Sequence, residues 1–554
     1  MKLVERRIKL LFVAFMVLLV LGGLRALQLG GLEGGDLRRA ADTQQASEVR
    51  LPARRGTITD RHGVELAVSE PAEDVTATPY LIKDGAAAAR RIAPLLRRPL
   101  DEVLRKLSDR RKGFVYLARL VPSSQAQRVR RLGLEGIDLI PGTRRTYPQK
   151  WLAAQLLGAV GTEGKGLSGL EYAHDRLLRG SDGRRRLVKD ALGDAISLRD
   201  ERPARPGRPL ELTLDAAIQD KAEDVLEKVG RQFRPKGATA LVMDPRTGEL
   251  LAVANWPRVN ANAIGAAPGF ARQNRAVGAS YEPGSTFKAF TVAGALQDGR
   301  VKEGTTFDLA PQIQVADRMI GESHERGAVT LTTAQILAQS SNVGAITIGM
   351  REGARHFDRW VRRFGFGRPT RVDLPGEEAG LVPRVKQYSG SSMGNLPIGQ
   401  GLAVTPMQMA TGYAAIANGG VLRPPRVVRN VGGRPTRRPR GTRVLSTRTA
   451  GSLRHMLEGV LAPGGTASEA TIPGYQLAGK TGTANKPDPA TGGYSDTKYV
   501  ASFVGFAPAR DPRLLVAVMV DEPGGGKIYG AEVAAPAFQE IMSFALPYLR
   551  IPPD

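Results

Sequence analysis

Three short motifs place hydroxyl groups near amines or amides at spacings that suit acyl transfer. In the first, Ser285 lies three residues before Lys288, after a Pro-Gly turn and at the start of an apolar run that predicts a helix. Residues three apart share a helical face, so the lysine can reach the serine hydroxyl. A helix N-terminus favours an alkoxide, and a buried lysine near other cations loses its proton readily. The motif therefore predicts a serine nucleophile that needs no histidine.

The second motif, residues 340–342 (SSN), follows another run that predicts a helix. There the Ser340 hydroxyl could relay protons, and the Asn342 amide could bind a substrate carbonyl. S-x-x-K and S-x-N both arise often by chance, so neither motif is specific by itself.

The third motif, residues 480–482 (KTG), lies in a predicted strand. Lys480 offers positive charge for a carboxylate, and the hydroxyls of Thr481 and Thr483 add hydrogen-bonding groups. Gly482 would let a substrate backbone approach closely. The three motifs in this order, each in a suitable element, are the set found in penicillin-binding proteins and class A β-lactamases. Together they predict an acyl-transfer enzyme.

The elements around these motifs predict a domain of mixed helix and strand. Residues 238–243 and 249–255 flank the turn DPRTG and predict a hairpin, followed by a helix-rich middle. Towards the carboxyl end the sequence predicts three strands and a closing helix, at 475–484, 499–507, 514–521 and 534–549. Strands at both ends of a helical middle indicate an α/β (α+β) domain whose sheet joins its two ends.

The amino terminus predicts a membrane anchor. Lys2, Arg6, Arg7 and Lys9 precede an apolar stretch at residues 10–29, which is long enough to cross a bilayer as a helix. The basic cluster would stay in the cytoplasm and send the rest of the chain outside. A cleaved signal peptide is the alternative, but no A-x-A-like cleavage site follows the stretch.

Composition limits the remaining possibilities. The absence of cysteine excludes disulfides, thiolate metal sites and cysteine nucleophiles. The net charge of +25 suits contact with an anionic polymer or lipid surface, or reflects solvated arginines, and does not indicate a mechanism. The five histidines are scattered and lack the spacing of metal ligands. The Pro- and Gly-rich residues 202–209 predict a domain boundary.

Residues 55–67 (RGTITDRHGVELA) resemble the R-G-x-I-x-D-R-x-G-x-x-L-A signature of class B penicillin-binding proteins. Further motifs similar to that family lie at residues 145–148 (RTYP), 169–171 (GLE), 190–193 (DALG), 399–401 (GQG), 405–406 (TP) and 531–538. The resemblance covers nearly the whole chain. It implies a penicillin-binding/serine β-lactamase-like transpeptidase domain, an elongated N-terminal pedestal and a single transmembrane helix. The implied divisions are a cytoplasmic tail at 1–9, an anchor at 10–29, a non-catalytic, dimerisation-like pedestal at 30–205 and a transpeptidase domain at 206–554.

The resemblance also implies a role for each motif. Ser285 would attack the carbonyl between the last two D-alanines of a stem peptide, with Lys288 accepting its proton. The backbone N–H groups of Ser285 and Thr483 would form the oxyanion hole. Ser340 and Lys480 would return the proton to the departing D-alanine. No metal or organic cofactor would be required.

The same resemblance also implies which groups bind the substrate. Asn342 would hold the donor peptide, and Lys480, Thr481 and Thr483 would bind the terminal carboxylate of the substrate or of a β-lactam. The implied partners are peptidoglycan stem peptides, β-lactams, a membrane glycan polymerase of the FtsW type and other division proteins, with no nucleic acid.

Two details favour the cell-division (FtsI-type) branch of the family. Glu282 stands before the Pro-Gly of the first motif, where the elongation branch more often has proline, and Asn342 stands where elongation enzymes often carry aspartate. Elongation- or sporulation-specific enzymes remain alternatives, as does a catalytically lapsed scaffold. A soluble β-lactamase would not need the pedestal, and a bifunctional class A protein would carry a glycosyltransferase domain in its place.

Overall fold

The computed structural model describes residues 2–29, 46–189, 195–488, 490 and 492–554, so the predicted motif at 190–193 lies outside the described residues. The chain divides into two compact units. The first unit comprises Met1–Arg54, Pro71–Thr143 and Gly180–Pro206. The second unit comprises Arg55–Glu70, Arg144–Arg179 and Gly207–Asp554. The domain boundary expected at 205/206 stays a prediction.

The amino-terminal helix spans Lys2–Leu27. Its most apolar window of 18 residues has a mean hydropathy of 2.5, and none of that window is buried. At about 1.5 Å per residue such a helix covers the apolar thickness of a bilayer. Among the described residues it is the one helix long and apolar enough to cross a membrane.

The rest of the first unit packs three helices against strands. The helices span Gly85–Leu96, Leu100–Ser108 and Ser123–Arg130. The strands are Ala46–Leu51, Glu65–Ala77 from Pro71 onward, Val115–Pro122, Ile137–Thr146 up to Thr143, Gly183–Lys189 and Ala195–Arg202. Val75, Ile92 and Val103 are fully buried in its core. The first two of these helices are separated just before Pro99, because proline disfavours the helical conformation in the residue before it.

A five-stranded antiparallel sheet is the centre of the second unit. Its strands lie in the order Leu250–Trp256, Gly237–Met243, Leu514–Asp521, Gly493–Ala507 and Ala478–Asp488. The predicted hairpin and the three predicted carboxyl-terminal strands are therefore confirmed, and the sheet joins the two ends of the domain. The last two strands are longer than predicted, because they extend together as a paired ribbon beyond the core.

Helices cover both faces of this sheet. Alternate side chains of a strand point to opposite faces, so each strand contributes to the packing on both sides. Ala240 and Val242 face a cluster that includes the helices Ala216–Phe233 and Ala535–Tyr548. Leu241 belongs to the cluster on the other face, which contains the helical middle of the domain. The sheet is thus buried on both sides.

The helical middle carries most of the motifs. Its helices span Arg275–Gly278, Lys288–Gln297, Thr333–Ala338, Asn342–Glu352, Ala354–Arg363, Ser392–Asn395, Pro406–Ala417 and Thr447–Glu458, with 3₁₀ segments at Ala261–Ala266, Gly269–Arg272, Gly284–Phe287, Val385–Gln387 and Leu396–Ile398. Short strands lie at Thr306–Leu309, Gln312–Val315, Arg318–Gly321, Val329–Thr332, Val421–Leu422, Val428–Val431, Arg434–Pro435 and Thr442–Arg443. Before the sheet come the strands Ile58–Thr59 and Leu210–Leu212 and the helices Ala154–Leu157, Gly169–Ala173 and Asp175–Leu178; a last short helix spans Gly530–Val533.

Three of the motifs that carry the family resemblance meet in the second unit. The buried Glu171 carboxylate pairs with Arg55 through Oε2, at 2.5 Å, and with Arg145 through Oε1, at 2.6 Å. Arg55 also pairs with Asp175 at 2.6 Å. These residues come from the RGTITD, RTYP and GLE motifs and the segment just after them, so an ion-pair network explains why the motifs contain charged side chains at buried positions.

Candidate active site

The first motif forms a 3₁₀ turn, Gly284–Phe287, that leads directly into the helix Lys288–Gln297. Gly284 has a φ of +54°, and a Cβ there would lie 2.9 Å from the carbonyl oxygen of Thr483. A glycine is thus required for the close approach of this turn to the third motif. The predicted helix is confirmed, although its first turn is 3₁₀. Ser285 is half-buried at the helix start, as the sequence predicted.

An aromatic cluster packs against the 3₁₀ turn that contains Ser285. The Phe287 and Phe290 rings lie 5.4 Å apart, and Phe290 meets the Tyr413 ring edge-on at 5.3 Å. The Tyr413 hydroxyl donates a hydrogen bond of 2.6 Å to the carbonyl of Thr286. Packing of this kind fixes the backbone on either side of Ser285.

Lys288 links the first motif to the second. Its side chain is 1% exposed, and Nζ lies 2.6 Å from the Ser340 carbonyl oxygen, 2.6 Å from Asn342 Oδ1 and 3.4 Å from Ser340 Oγ. Burial lowers the pKa of the Lys288 amine to about 7, and the Glu322 carboxylate opposes that shift. Near neutral pH a substantial fraction of the amine is unprotonated and able to accept a proton.

The second motif lies at the junction of two helices, Thr333–Ala338 and Asn342–Glu352. Ser340 has a φ of +60°, an uncommon conformation for a residue with a side chain. Ser341 caps the second helix, because its Oγ accepts a hydrogen bond of 2.9 Å from Gly344 N. This sharp junction presents Ser340 and Asn342 together to the Lys288 amine.

Glu322 holds the second motif in place, and the sequence analysis missed it. Its carboxylate accepts hydrogen bonds from Ser341 Oγ at 2.6 Å and from Asn342 N at 2.5 Å, and it pairs with Arg326. Burial raises the pKa of the Glu322 carboxyl, but the bonds from Ser341 and Arg326 outweigh it, so the net shift is downward. A carboxylate at a helix N-terminus is electrostatically favourable. No spacing in the sequence relates Glu322 to the motif twenty residues later.

The third motif occupies the edge strand Ala478–Asp488, as predicted. Lys480 is fully buried, and burial together with the nearby Lys288 lowers its pKa well below the ordinary value. Thr481 Oγ1 lies 2.9 Å from Thr466 Oγ1, and Thr483 Oγ1 accepts a hydrogen bond of 3.0 Å from Gly530 N.

Gly482 packs against the protein itself. A Cβ at this position would lie 2.4 Å from Ser502 Oγ and 2.9 Å from the Pro283 carbonyl oxygen. The absence of a side chain therefore lets the strand pack against the nucleophile turn. Contact between Gly482 and a substrate backbone stays a prediction.

The motifs converge on one cavity of about 540 Å³. Its lining includes Ser285, Ser340, Asn342, Thr481 and Thr483 from the predicted site. Lys288 and Lys480 are buried among these elements, and Gly482 is not part of the lining. Residues with hydroxyl and amide side chains from three separated segments thus line a single space of a size that suits a small peptide, with the two lysines buried behind it.

His324 and Tyr529 also line this cavity, and the sequence analysis did not identify them as site residues. Their rings stack with centroids 5.2 Å apart. They come from the segment after Arg318–Gly321 and from the residue before Gly530–Val533, so only the fold brings them together.

Comparison with known proteins agrees with this geometry. Residues 238–543 match the penicillin-binding protein transpeptidase domain, and residues 50–212 match the penicillin-binding protein dimerisation domain. The chain is 34% identical to the peptidoglycan D,D-transpeptidase FtsI of Escherichia coli K12, covering 94% of this chain and 87% of FtsI. It belongs to the penicillin-binding peptidoglycan D,D-transpeptidases.

Other members of the family are also similar to this chain. The probable peptidoglycan D,D-transpeptidase PenA of Neisseria gonorrhoeae is 34% identical over 99% of this chain and 93% of PenA. The crystal structure of penicillin-binding protein 3 from Mycobacterium tuberculosis, complexed with aztreonam, superposes with a TM-score of 0.72 at 30% identity, covering 91% of this chain and 98% of the other. The predicted family, fold class and enzyme class are confirmed.

One cluster outside the cavity combines side chains that can bind metal ions. Ligand atoms of Asp298, Glu352 and His356 lie within 4.8 Å of one another. The sequence did not indicate this cluster, because Glu352 ends one helix and His356 lies in the next, beyond Gly353. Arg359 donates a hydrogen bond of 2.9 Å to Asp298 Oδ2, so a guanidinium already offsets the negative charge. The cluster is therefore best described as an ion-pair network.

Proposed function

We propose that this enzyme cross-links stem peptides of septal peptidoglycan through an acyl-enzyme on Ser285. The observation that carries the proposal is the position of the Lys288 amine. It is buried, its pKa is lowered to about 7, and it is hydrogen-bonded to the second motif beside the nucleophile turn. An amine in that state is a base suited to activating a serine hydroxyl.

Acylation then proceeds by transfer of the Ser285 proton to Lys288 while the serine oxygen bonds to the carbonyl carbon between the two terminal D-alanines. The N–H groups of Ser285 and Thr483 stabilise the oxyanion. The carbon–nitrogen bond breaks, and the proton passes through Ser340 and Lys480 to the amine of the leaving D-alanine. Support comes from the distance of 3.4 Å between Lys288 Nζ and Ser340 Oγ.

The substrate carboxylate binds to the third motif. Thr481 and Thr483 present hydroxyls to the cavity, and an arriving carboxylate favours the ammonium form of the buried Lys480. Asn342 holds the donor peptide from the opposite wall. An amine of a second stem peptide attacks the ester, forms the cross-link and releases Ser285.

A β-lactam acylates the same serine, because its strained amide and carboxylate match the two D-alanines. The reported complexes of Mycobacterium tuberculosis penicillin-binding protein 3 with aztreonam and with ampicillin support this part of the proposal. The opened β-lactam stays attached to the serine as an acyl group. Its release is slow, because the cavity holds that acyl group as it holds the donor peptide.

The helix Lys2–Leu27 anchors the enzyme in the cell membrane as a single pass. Its basic amino-terminal residues stay in the cytoplasm and the catalytic domain lies outside, in the periplasm or on the extracellular face. Residues 30–205 form the pedestal and residues 206–554 the transpeptidase domain.

The septal role is inferred from similarity to FtsI and from Glu282 and Asn342 in the first two motifs. In that role the enzyme works with a glycan polymerase of the FtsW type and other division proteins. Depletion in the native cell tests the role, because loss of a septal enzyme produces filaments. Rounded cells, or a defect limited to sporulation, would instead support one of the other branches.

Fluorescent penicillin tests the chemistry. The full-length enzyme in detergent should become covalently labelled and release the label slowly, and Ser285→Ala should remain unlabelled while retaining its circular dichroism spectrum. Rapid turnover of the label would indicate a β-lactamase. Labelling of the variant, or no labelling of the folded wild type, would contradict the assignment of the nucleophile.

A further inference from the structure

A second cavity, of about 270 Å³, lies in the second unit and shares no lining residue with the catalytic cavity. Four arginines line it: Arg363, Arg368, Arg371 and Arg440. All four are exposed, and none of the described residues in this lining is acidic. Protein surfaces ordinarily intersperse charges of both signs. A concave wall with four positive charges and no negative one therefore favours an anion.

The four guanidinium groups have no carboxylate partner within the described part of the chain. Arg363 lies over the Trp360 ring, with Cζ 5.0 Å from the ring centroid, and donates a hydrogen bond of 3.4 Å to a backbone carbonyl. Arg368 donates one of 2.9 Å to another backbone carbonyl. The side chains of Arg371 and Arg440 form no hydrogen bond with any residue that the structure describes. Their guanidinium groups are exposed and available to a ligand.

The acidic residues nearest to this wall along the chain are bonded elsewhere. Asp358 pairs with a neighbouring arginine of its own helix at 3.0 Å. Asp373 accepts hydrogen bonds of 2.8 and 2.9 Å from two successive backbone N–H groups of another segment. Glu377 accepts hydrogen bonds from the Thr370 hydroxyl, from Thr370 N at 2.7 Å and from Arg371 N at 3.0 Å. These carboxylates fix the backbone of the wall and leave its guanidinium charges unpaired.

The fold holds both arginine-bearing segments in place. Arg440 lies in a loop whose two ends are paired with neighbouring strands. A Cβ at Gly441 would lie 2.5 Å from Val421 Cγ1, so the missing side chain lets this loop close onto that strand. Arg371 has a φ of +67°, an uncommon conformation for a residue with a side chain, and the bond from its N–H to Glu377 stabilises it. The cavity is thus preformed.

We propose that this cavity is a second binding site, for a phosphate polyanion such as a pyrophosphate group. Guanidinium groups match phosphate oxygens bidentately, and four of them can offset more than one negative charge. Each terminal phosphate presents three strong acceptor oxygens, so two phosphates bring many acceptors into a small volume. The cavity is smaller than the roughly 300–1,000 Å³ of pockets for drug-sized ligands, which suits a small, highly charged group.

A membrane lipid headgroup with one phosphodiester carries a single negative charge and would leave most of the arginines unmatched. The proposed ligand is therefore a polyanion and not the surface of the bilayer. The site shares no residue with the catalytic cavity, so it does not depend on the assignment of Ser285 as the nucleophile.

Inorganic pyrophosphate is the probe, titrated into the full-length enzyme in a non-ionic detergent and followed by isothermal titration calorimetry. The salt concentration is about 0.15 M, where the Debye length is about 8 Å and attraction by the net charge of the whole chain is weakened. Citrate, a carboxylate anion of similar charge, is one control ligand. Glycerophosphoglycerol, a phospholipid headgroup without its acyl chains, is the other.

The wild-type enzyme should bind pyrophosphate at least about tenfold more tightly than either control ligand, and the double variant Arg371→Gln/Arg440→Gln should weaken that binding by at least about tenfold. The matched control, Arg437→Gln/Arg438→Gln, removes the same charge from exposed positions outside the lining and should bind as wild type does. Circular dichroism and thermal melting verify that both variants fold.

Unchanged binding in Arg371→Gln/Arg440→Gln would overturn the site, and so would an equal loss in the two double variants, because that result reports attraction by net charge alone. Citrate binding as tight as that of pyrophosphate would refute the preference for phosphate. Tighter binding of glycerophosphoglycerol would assign the cavity to a lipid headgroup and contradict the proposal. Absence of pyrophosphate binding to the folded wild-type enzyme would overturn it as well.

Discussion

The role of Lys288 can be tested by varying pH. Burial lowers the pKa of its amine to about 7, so the fraction able to accept a proton is about one tenth at pH 6 and about one hundredth at pH 5. The acylation rate constant should therefore rise about tenfold per pH unit up to pH 7 and level off above pH 8. Lys480 lies nearby and carries the same charge, so the observed midpoint belongs to the pair of lysines.

The free energy of unfolding depends on pH differently from the acylation rate. Because the pKa of Lys288 is lower in the folded than in the unfolded chain, the unfolded chain binds more protons between about pH 7 and 10.5, and this group makes the fold more stable as pH rises through that range. Below pH 7 both states are protonated, and Lys288 adds no pH dependence of stability. A loss of acylation between pH 7 and 5 thus reports on the base and not on unfolding linked to Lys288.

The assay is the second-order rate constant for labelling by fluorescent penicillin, measured at steps from about pH 5 to pH 9, with circular dichroism at each step. Lys288→Arg should lose acylation at every pH, because a guanidinium stays protonated. Lys228→Arg, at an exposed helix position, is the matched control. A flat profile, a rate that falls as pH rises through 7, or rapid acylation of Lys288→Arg would refute the reasoning.

Three further predictions follow from burial and packing. Burial and a nearby carboxylate raise the pKa of Glu352 to about 7, with its side chain 1% exposed, so stability from this group is lost as pH rises through 7. The stability of Glu352→Gln relative to wild type should rise by about 1–3 kcal/mol between pH 5 and pH 8 in urea unfolding, and a constant difference would contradict this. Gly482→Ala should slow penicillin acylation more than tenfold, because its Cβ would lie 2.4 Å from Ser502 Oγ. The control Gly451→Ala, with open space around its Cβ, should keep the wild-type rate. Equal acylation rates in the two variants would contradict the packing role of Gly482. Glu322→Gln should lower the free energy of unfolding by about 2 kcal/mol and slow acylation, while the exposed Glu325→Gln on the same loop should do neither; an unchanged acylation rate in Glu322→Gln would remove its positioning role.

Much of the fold follows from local patterns. The hairpin around DPRTG, the three carboxyl-terminal strands and the closing helix were predictable, because alternation, helical periodicity and turn residues act over a few neighbouring residues. The 3₁₀ turn at Ser285 is less apparent, because it depends on how the local chain packs against its surroundings.

Some residues of the candidate site were likewise predictable from the sequence, and others were not. Ser285, Ser340, Asn342 and the KTG strand were identifiable because their chemistry is written in residue types at short, fixed spacings. Glu322, His324 and Tyr529 were not, because they join the site through hairpin and loop packing that leaves no regular spacing in the chain.

The sequence by itself therefore determined the family, the order of the elements and the groups available for acyl transfer, since these depend on residue identity and local propensity. Only the tertiary structure decided the state of those groups. Whether Lys288 is a base near neutral pH depends on burial and on partners that are distant along the chain.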